Sequence, residues 1–275
     1  MMQKSLNGLS TVCAEANCPN INECWRRGTA TFMIMGDTCT RACCFCGVKT
    51  GRPAPLDPAE PDKLADSIAA LGLKYAVITC VDRDDLPDGG AVHWAMCIKA
   101  VRERNPNTGI EVLTGDFRGS RKSIATVVHA RPGVFAHNVE VVPSLQRTAR
   151  PAASWDTSVA VLQSAREIAQ DEGIPLLIKS GLMLGLGETD REVREALRLL
   201  REAGVELLTL GQYLKPLNVD GKLEVQRYVE PKEFTALADY AKSLGFYGIA
   251  ASPLTRSSHL AETLYAQAQA KVTSS

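Results

Sequence analysis

Three closely spaced cysteines are the residues of this chain with the clearest capacity for chemistry. Cys39, Cys43 and Cys46 form a Cys-x3-Cys-x2-Cys pattern directly after an apolar run. Three thiolates can hold three irons of a [4Fe–4S] cluster, because soft sulfur ligands suit iron, and such a set leaves the fourth iron open for a cofactor or substrate. The same thiolates could instead bind zinc. The spacing therefore predicts a metal centre and leaves both alternatives open.

A second cysteine triplet precedes the first. Cys13, Cys18 and Cys24 are separated by four and five residues, in a stretch with Pro19 and several asparagines that shows neither helical nor strand periodicity. On its own this triplet is a weak signal, which a zinc loop would also produce. Beside the first triplet it predicts a second cluster, held in a folded loop over residues 1–28.

Length and composition indicate a globular protein of one large domain. The chain has 275 residues, 45% hydrophobic and 23% charged, and its 31 basic and 31 acidic residues give no net charge. This balance does not suggest nucleic-acid binding, and no apolar segment approaches the roughly 18 residues of a membrane span. Nine cysteines without an export signal indicate a reducing compartment, the cytoplasm or an organelle interior, and favour metal ligation over disulfides.

Strands and helices that could position the cysteines alternate along the chain. Apolar runs predict strands at residues 29–35, 75–81, 111–113, 134–139, 176–184, 207–210 and 247–251. Amphipathic periods predict helices that begin at Asp57 or Pro58, at Gly90, at Ser120 and Asp156 as caps, at Thr189 or Asp190, and at Pro231. Six consecutive βα units favour an α/β fold with a parallel sheet, arranged as an open, partial (β/α)6 barrel.

Polar residues and glycines recur where the predicted strands end. Asn138 and Glu140 follow the fourth strand, Gly185 and Gly187 follow the fifth, and Gln212 follows the sixth. Because the carboxyl ends of parallel barrel strands meet at one face, we expect these residues to form a single site with the cysteine loop. Glycine lets the backbone approach a ligand closely, although a plain turn would show the same Gly-x-Gly pattern.

With these residues in view, the chain resembles the lipoyl synthase family, a branch of the radical S-adenosylmethionine (SAM) enzymes. The likeness includes Phe45 and Gly47 around the last cysteine of the first triplet, and it runs from Cys13 to about Leu260. Matching stretches are residues 36–46, 48–53, 77–90, 134–142, 179–190, 211–214 and 256–258. The resemblance favours iron–sulfur clusters over zinc at both triplets.

The resemblance implies two [4Fe–4S] clusters and S-adenosylmethionine as cofactors. In this interpretation Cys39, Cys43 and Cys46 hold the radical cluster, whose open iron chelates the amino acid end of S-adenosylmethionine. The ligands of an auxiliary cluster would be Cys13, Cys18, Cys24 and Ser258. Contacts to S-adenosylmethionine are expected from Phe45, Asn138, Glu140, Gly185, Gly187 and Gln212. A structural ion pair is the alternative role for Glu140.

The resemblance also implies a division of the chain. A radical SAM partial barrel would span residues 29–250, preceded by an auxiliary-cluster extension over residues 1–28. Residues 251–275 would close the auxiliary-cluster site. Asp82, Arg83 and Asp85 are expected to orient the substrate or to couple the two sites.

The implied activity is that of a sulfurtransferase, which inserts two sulfur atoms into a protein-bound octanoyl chain. Acid–base groups cannot attack an aliphatic C–H bond near neutral pH, so 5′-deoxyadenosyl radicals would abstract hydrogen from C6 and then C8. Sulfide would come from the auxiliary cluster, which is consumed. Implied partners are an octanoylated lipoyl-carrier domain or glycine-cleavage carrier protein, a low-potential donor such as ferredoxin or flavodoxin, and an iron–sulfur carrier for cluster repair. No nucleic-acid or membrane partner is expected.

Two other functions compete with this hypothesis. A different radical SAM enzyme, which inserts sulfur or transfers a methylthio group, would share the first triplet but not the N-terminal triplet with a distant Arg256-Ser257-Ser258. A zinc-binding interaction module would be colourless, whereas iron–sulfur protein is brown. The chain departs from the family's usual residues at Cys44 and Gly115, where Pro is usual, and at His259, where Tyr is usual.

Overall fold

Seven parallel strands form the main sheet of the protein, in a computed structural model that describes residues 20–217 and 219–272. The strands are β1 (Thr29–Ile34), β4 (Tyr75–Cys80), β5 (Gly109–Leu113), β6 (Val134–Ala136), β7 (Leu177–Leu184), β8 (Leu207–Gln212) and β9 (Gly248–Ser252), and a separate parallel pair is formed by β2 (Thr38–Cys39) and β3 (Lys49–Thr50). Their order in the main sheet is β1-β4-β5-β6-β7-β8-β9, so each of these seven strands pairs with the one of the seven that follows it in sequence. This sheet is an open half-barrel, which confirms the predicted fold class.

Nine α-helices lie in the described part of the chain: α1 (Ile21–Arg26), α2 (Glu60–Leu71), α3 (Ala91–Arg104), α4 (Arg121–His129), α5 (Gln146–Ala149), α6 (Trp155–Asp171), α7 (Asp190–Glu202), α8 (Pro231–Ser243) and α9 (Ala261–Val272). Six of them, α2, α3, α4, α6, α7 and α8, pack on the outer face of the sheet. None of the described helices is both long enough and apolar enough to span a bilayer.

Side-chain caps set the starts of several helices. Ser120 accepts a hydrogen bond from the Ser123 N–H, and Thr189 forms a capping box with Glu192, as those residue types predict. The predicted cap at Asp156 is wrong, because Ser154 caps α6 two residues earlier by accepting from the Thr157 N–H. The prediction of a continuous loop over residues 1–28 is also wrong within its described part, where α1 is helical.

Alternate residues of each strand enter two different apolar layers. Phe32, Ile78 and Phe135 belong to the larger layer, between the sheet and the outer helices. Val134 and Leu177, on the opposite face, instead pack with residues of α9. The C-terminal helix therefore lies inside the concave face, and it closes the half-barrel toward the amino ends of its strands.

A buried ion pair lies within the same concave face. Lys179 Nζ is 2.6 Å from Glu111 Oε1, and each side chain is only 1% exposed. The Tyr75 hydroxyl donates to the other carboxylate oxygen of Glu111 over 3.2 Å. The pair connects β5 to β7. Because both charges are removed from water, each needs the other to remain buried.

Replacing Lys179 by Met should destabilise the protein strongly, because the Glu111 carboxylate would remain buried without its cation. We expect the free energy of unfolding to fall by about 3–5 kcal/mol, measured by urea titration of the apoprotein. Lys99→Met on the exposed face of α3 is the control and should change it by less than about 0.5 kcal/mol. Equal effects of the two variants would contradict a structural role for the pair.

Candidate active site

A loop between β1 and β3 carries the Cys-x3-Cys-x2-Cys motif. The loop begins at Met35. The short strands β2 and β3 pair Cys39 with Thr50, so that the end of the loop lies beside its beginning. Cys39, Cys43 and Cys46 are all half-buried at the carboxyl ends of the barrel strands. The sheet topology thus brings the three predicted ligands to the face where catalytic groups of such barrels lie.

The three thiols are spaced more widely than the ligands of a single ion. Among the described residues, only Glu60, His93 and Cys97 bring three potential ligand atoms within 4.8 Å of one another. Thiolates around one tetrahedral zinc ion lie roughly 3.8 Å apart, whereas each thiolate of a [4Fe–4S] cluster binds a different iron. The donor set of the loop therefore fits a cluster better than zinc.

Burial controls the ionisation of these thiols. Removal from water raises the pKa of Cys43 to about 12 and also raises the pKa of Cys39 and of Cys46. Backbone N–H groups counteract this effect at Cys39, where Arg41 and Asp82 donate to Sγ over 3.4 and 3.3 Å. Without a metal these thiols stay protonated at neutral pH, so cluster binding must displace their protons.

Arg41, inside the cysteine loop, anchors that loop to two neighbouring strand ends. Its guanidinium donates two hydrogen bonds to Asp84 (2.7 and 2.9 Å) and two to Asp116 (2.6 and 2.7 Å), and the residue is 7% exposed. Thr40 adds a backbone and a hydroxyl hydrogen bond to the Asp82 carbonyl. Sequence analysis missed Arg41 and Asp116; the only available signal was a charged residue inside the metal motif.

The residues after β6 form a polar wall beside the loop. Glu140 has a left-handed backbone (φ 68°), donates to the Gly181 carbonyl over 3.1 Å and accepts from Met183 over 2.7 Å. Burial raises the pKa of its carboxyl, against the opposing effects of Arg150 and of a hydrogen bond from Asn138. The backbone of Glu140 is thus fixed against β7, and its buried carboxylate is hydrogen-bonded by Asn138.

Asn138 has the property expected of a ligand contact. Its Oδ1 is buried and has no hydrogen-bond partner. A Cβ on Gly181 would lie 3.1 Å from that oxygen, and 2.4 Å from Thr209 Oγ1, so glycine keeps the space around the amide open. Because unsatisfied buried acceptors are costly, this oxygen fits a site that a polar ligand completes.

The glycines after β7 form a tight turn around Glu188. The N–H groups of Gly185 and Leu186 donate to its carboxylate over 2.6 and 2.9 Å. Gly185 and Gly187 have φ values of 99° and 111°, which favour glycine. A Cβ on Gly185 would lie 2.3 Å from Gln212 Nε2. These glycines have a structural reason to be present, and their contact with a cofactor stays a prediction.

Gln212 connects the end of β8 to a neighbouring segment of chain. Its Nε2 donates to the carbonyls of Tyr213 and Arg227 (3.0 and 3.1 Å), and its Oε1 accepts from the Val229 N–H (2.8 Å). The amide is thus fully used by backbone groups, and its contact with a cofactor also stays a prediction. Phe45 is half-buried and packs with an apolar cluster that contains Leu186.

A cavity of about 290 Å³ opens beside the cysteine loop, between the ends of β4 and β5. Its lining includes Asp82, Arg83 and Asp85, together with Phe117 and Arg118. Arg83 and Asp85 form a two-pronged pair over 2.8 Å, so they are held in place relative to each other. The residues predicted to orient a substrate therefore line one mixed-charge recess.

The residues predicted for the auxiliary cluster lie at both ends of the chain. Cys13 and Cys18 fall outside the described residues. Cys24 is half-buried on α1, and Ser258 is half-buried in the segment between β9 and α9.

Several contacts join the segments that carry Cys24 and Ser258. Asn20 donates to the Leu254 carbonyl over 2.7 Å, and Glu23 Oε2 lies 3.5 Å from His259 Nε2. Arg27 pairs with Glu262 over 2.7 Å. The residue before Cys24 and the residue after Ser258 thus face each other, across the gap between edge strands β1 and β9.

The sequence of this chain is similar to those of several known proteins. The sequence model of the Radical SAM superfamily matches residues 33–200. A lipoyl synthase of Methylococcus capsulatus is 56% identical over 256 residues, which cover 93% of this chain and 78% of the relative. Lipoyl synthases of Coxiella burnetii (53% identical, 93% and 80% covered) and Pyrobaculum calidifontis (52% identical, 94% and 87% covered) also match.

Two solved structures share the fold at low sequence identity. Methylornithine synthase superposes with a TM-score of 0.58 at 14% identity, over 90% of this chain and 80% of its own. Streptococcus suis SuiB bound to S-adenosylmethionine gives a TM-score of 0.61 at 10% identity, over 84% of this chain and 53% of its own. These likenesses establish the architecture alone.

Replacing Arg41 by Lys should loosen the cysteine loop, because one ammonium group cannot satisfy two carboxylates that each accept a pair of hydrogen bonds. We expect the free energy of unfolding of the apoprotein to fall by about 3 kcal/mol. Arg118→Lys, which alters an exposed contact to Asp84, is the matched control and should be nearly neutral. Similar denaturation midpoints for both variants would refute the anchoring role of Arg41.

Proposed function

This chain belongs to the lipoyl synthase family, within the radical SAM superfamily, and on that premise we propose that it inserts sulfur at C6 and C8 of a protein-bound octanoyl chain. It is a sulfurtransferase that uses S-adenosylmethionine and a [4Fe–4S] cluster. One observation supports the specific reaction above others: α1, which carries Cys24, is fastened to the segment that carries Ser258. That contact supports a second cluster beside the half-barrel.

Cys39, Cys43 and Cys46 are the proposed ligands of the radical cluster. When bound, this cluster supplies the electron that cleaves S-adenosylmethionine to methionine and a 5′-deoxyadenosyl radical, which abstracts hydrogen from the octanoyl chain. The chain's own residues orient the ligands. The N–H groups of Arg41 and Asp82 donate to the Cys39 sulfur and stabilise its negative charge.

Polar groups after β6 are the proposed contacts for the amino acid and ribose parts of S-adenosylmethionine. Glu140 can accept hydrogen bonds from the methionyl ammonium, and Asn138 Oδ1 offers an acceptor that has no protein partner. Phe45 contributes an apolar surface next to Cys46. The remaining proposed contacts come from the neighbouring strand ends, at Gly185, Gly187 and Gln212.

The auxiliary cluster is the proposed sulfur donor and is consumed as a substrate. Its proposed ligands are Cys13, Cys18, Cys24 and Ser258. A hydroxyl oxygen is a harder and poorer ligand for iron than a thiolate, so the iron held by Ser258 should be released more readily. A carbon radical would bond to a cluster-bound sulfide while a cluster iron takes up the electron that is released, and loss of the iron at Ser258 would then let the sulfur leave with the carbon chain.

Lipoyl synthases act on lipoyl-carrier substrates, and radical SAM enzymes need a reductant. The proposed carrier is an octanoylated lipoyl domain or a glycine-cleavage carrier protein. We propose a ferredoxin or flavodoxin as the electron donor and an iron–sulfur carrier for repair of the consumed cluster.

Replacing Cys39 by Ala should abolish the cleavage of S-adenosylmethionine, because the radical cluster would lose a ligand that the fold holds in place. Release of 5′-deoxyadenosine under strong reductant, followed by liquid chromatography, measures this. Cys44→Ala is the control, since Cys44 is the adjacent thiol without a proposed ligand role. A Cys39 variant that cleaves at the rate of the Cys44 variant would show that the assignment of the triplet is wrong.

Replacing Ser258 tests the proposed donor site. Ser258→Ala should lower the yield of lipoyl product by roughly tenfold or more, although three thiolates can still assemble the cluster. Ser258→Cys should hold the iron more tightly and stall at the singly thiolated chain. Ser257→Ala, the neighbouring control, should give nearly full yield. Mass spectrometry of the octanoylated carrier after a single turnover measures the product of all three variants. Equal yields from both alanine variants would contradict the assignment of Ser258 as a ligand.

A further inference from the structure

Met35, the residue that connects β1 to the cysteine loop, has an unusual backbone. Its φ is 67°, in the left-handed region that side chains other than glycine rarely adopt. The side chain is buried and packs directly on Gly90, where a Cβ would lie only 2.3 Å from its Sδ, so glycine at that position makes room for it. Such a conformation persists only where surrounding groups hold it.

Two buried side chains, Glu60 and Arg83, bind both backbone polar groups of Met35. Its N–H donates to Glu60 Oε2 over 2.9 Å, and its carbonyl accepts from Arg83 Nη1 over 3.2 Å. Glu60 Oε2 in turn lies 2.5 Å from His93 Nε2, and Arg83 is paired with Asp85. Residues of α2 and of the end of β4 thus bind Met35 directly, and α3 contributes His93, which contacts Glu60.

The same strand end also contacts the first cysteine of the motif. The Asp82 N–H donates to Cys39 Sγ over 3.3 Å, and the next residue, Arg83, binds the Met35 carbonyl. The segment from Met35 to Cys39 is therefore held at both ends by neighbouring groups of one strand. Met35 is four residues before Cys39, so its conformation sets the direction in which the chain enters this short segment.

The group of Glu60, His93 and Cys97 could also be considered a metal site, because their ligand atoms lie within 4.8 Å of one another. The geometry argues against this. The distance of 2.5 Å between Glu60 and His93 is a short hydrogen bond, whereas oxygen and nitrogen ligands of one zinc ion lie roughly 3.3 Å apart. Burial also raises the pKa of the Cys97 thiol, which stays protonated.

We propose that Glu60, oriented by His93, is a positioning residue for the radical cluster: it holds Met35 in the left-handed conformation that sets the place of the Cys39 sulfur. This inference rests on the proposed assignment of Cys39, Cys43 and Cys46 as cluster ligands. Glu60 itself contacts neither the cluster nor S-adenosylmethionine in this role.

The test compares Glu60→Ala with Glu60→Gln in the full-length, anaerobically reconstituted protein. The readout is the change that S-adenosylmethionine induces in the electron paramagnetic resonance spectrum, since only a cluster with an open iron responds. Glu60→Ala should lose most of this change and weaken cofactor binding by about tenfold. Glu60→Gln keeps an acceptor for the Met35 N–H and should retain most of both. Glu103→Ala, on the exposed side of α3, is the control.

Three outcomes would overturn the proposal or its basis. If Glu60→Ala lowers only the thermal midpoint and keeps the spectral change, Glu60 is merely structural. If the purified protein contains one zinc ion per chain that Cys97→Ser removes, the group is a metal site. If Cys39→Ala still shows the cofactor-dependent spectrum, the ligand assignment fails, whatever the Glu60 variants do. The positioning role is supported if Glu60→Ala loses the cofactor-induced spectral change while Glu60→Gln and Glu103→Ala retain it.

Discussion

Anchoring of the cysteine loop to the end of β4 is the constraint on which the rest of the site depends. The loop has only a two-residue strand at each side, so its own backbone pairing cannot fix the three cysteines. Long-range contacts do so instead: Arg41 lies between Asp84 and Asp116, and Asp82 donates to Cys39. A buried guanidinium is costly unless both carboxylates satisfy it, which makes this arrangement specific as well as stable.

The open sheet leaves two edges between which the proposed second cluster would lie. Parallel strands in sequential order bring the cysteine loop and the residues after β6 to one face. Because β1 and β9 remain separate edges, chain from both ends can cross the gap between them, and the contact of Glu23 with His259 lies there. The C-terminal helix α9 fills the other end of the concave face.

Local patterns were sufficient to predict the strands of the main sheet and most of the expected helix starts, since each depends on residues near in sequence. They failed where distant contacts decide. The helix α1 has no buried residue and hence no periodicity to detect. Arg41 and Asp116 are 75 residues apart, so no local pattern links them. Gln212 was selected from its place at a strand end, but its amide binds backbone groups 15 and 17 residues further on.

We propose that this chain holds two [4Fe–4S] clusters, one in the anchored loop and one across the gap of the half-barrel. Anaerobic reconstitution followed by iron and sulfide analysis and Mössbauer spectroscopy tests this proposal most directly. We expect about eight irons and eight sulfides per chain, all in [4Fe–4S] form. A count of about four of each, in protein that still cleaves S-adenosylmethionine, would contradict it.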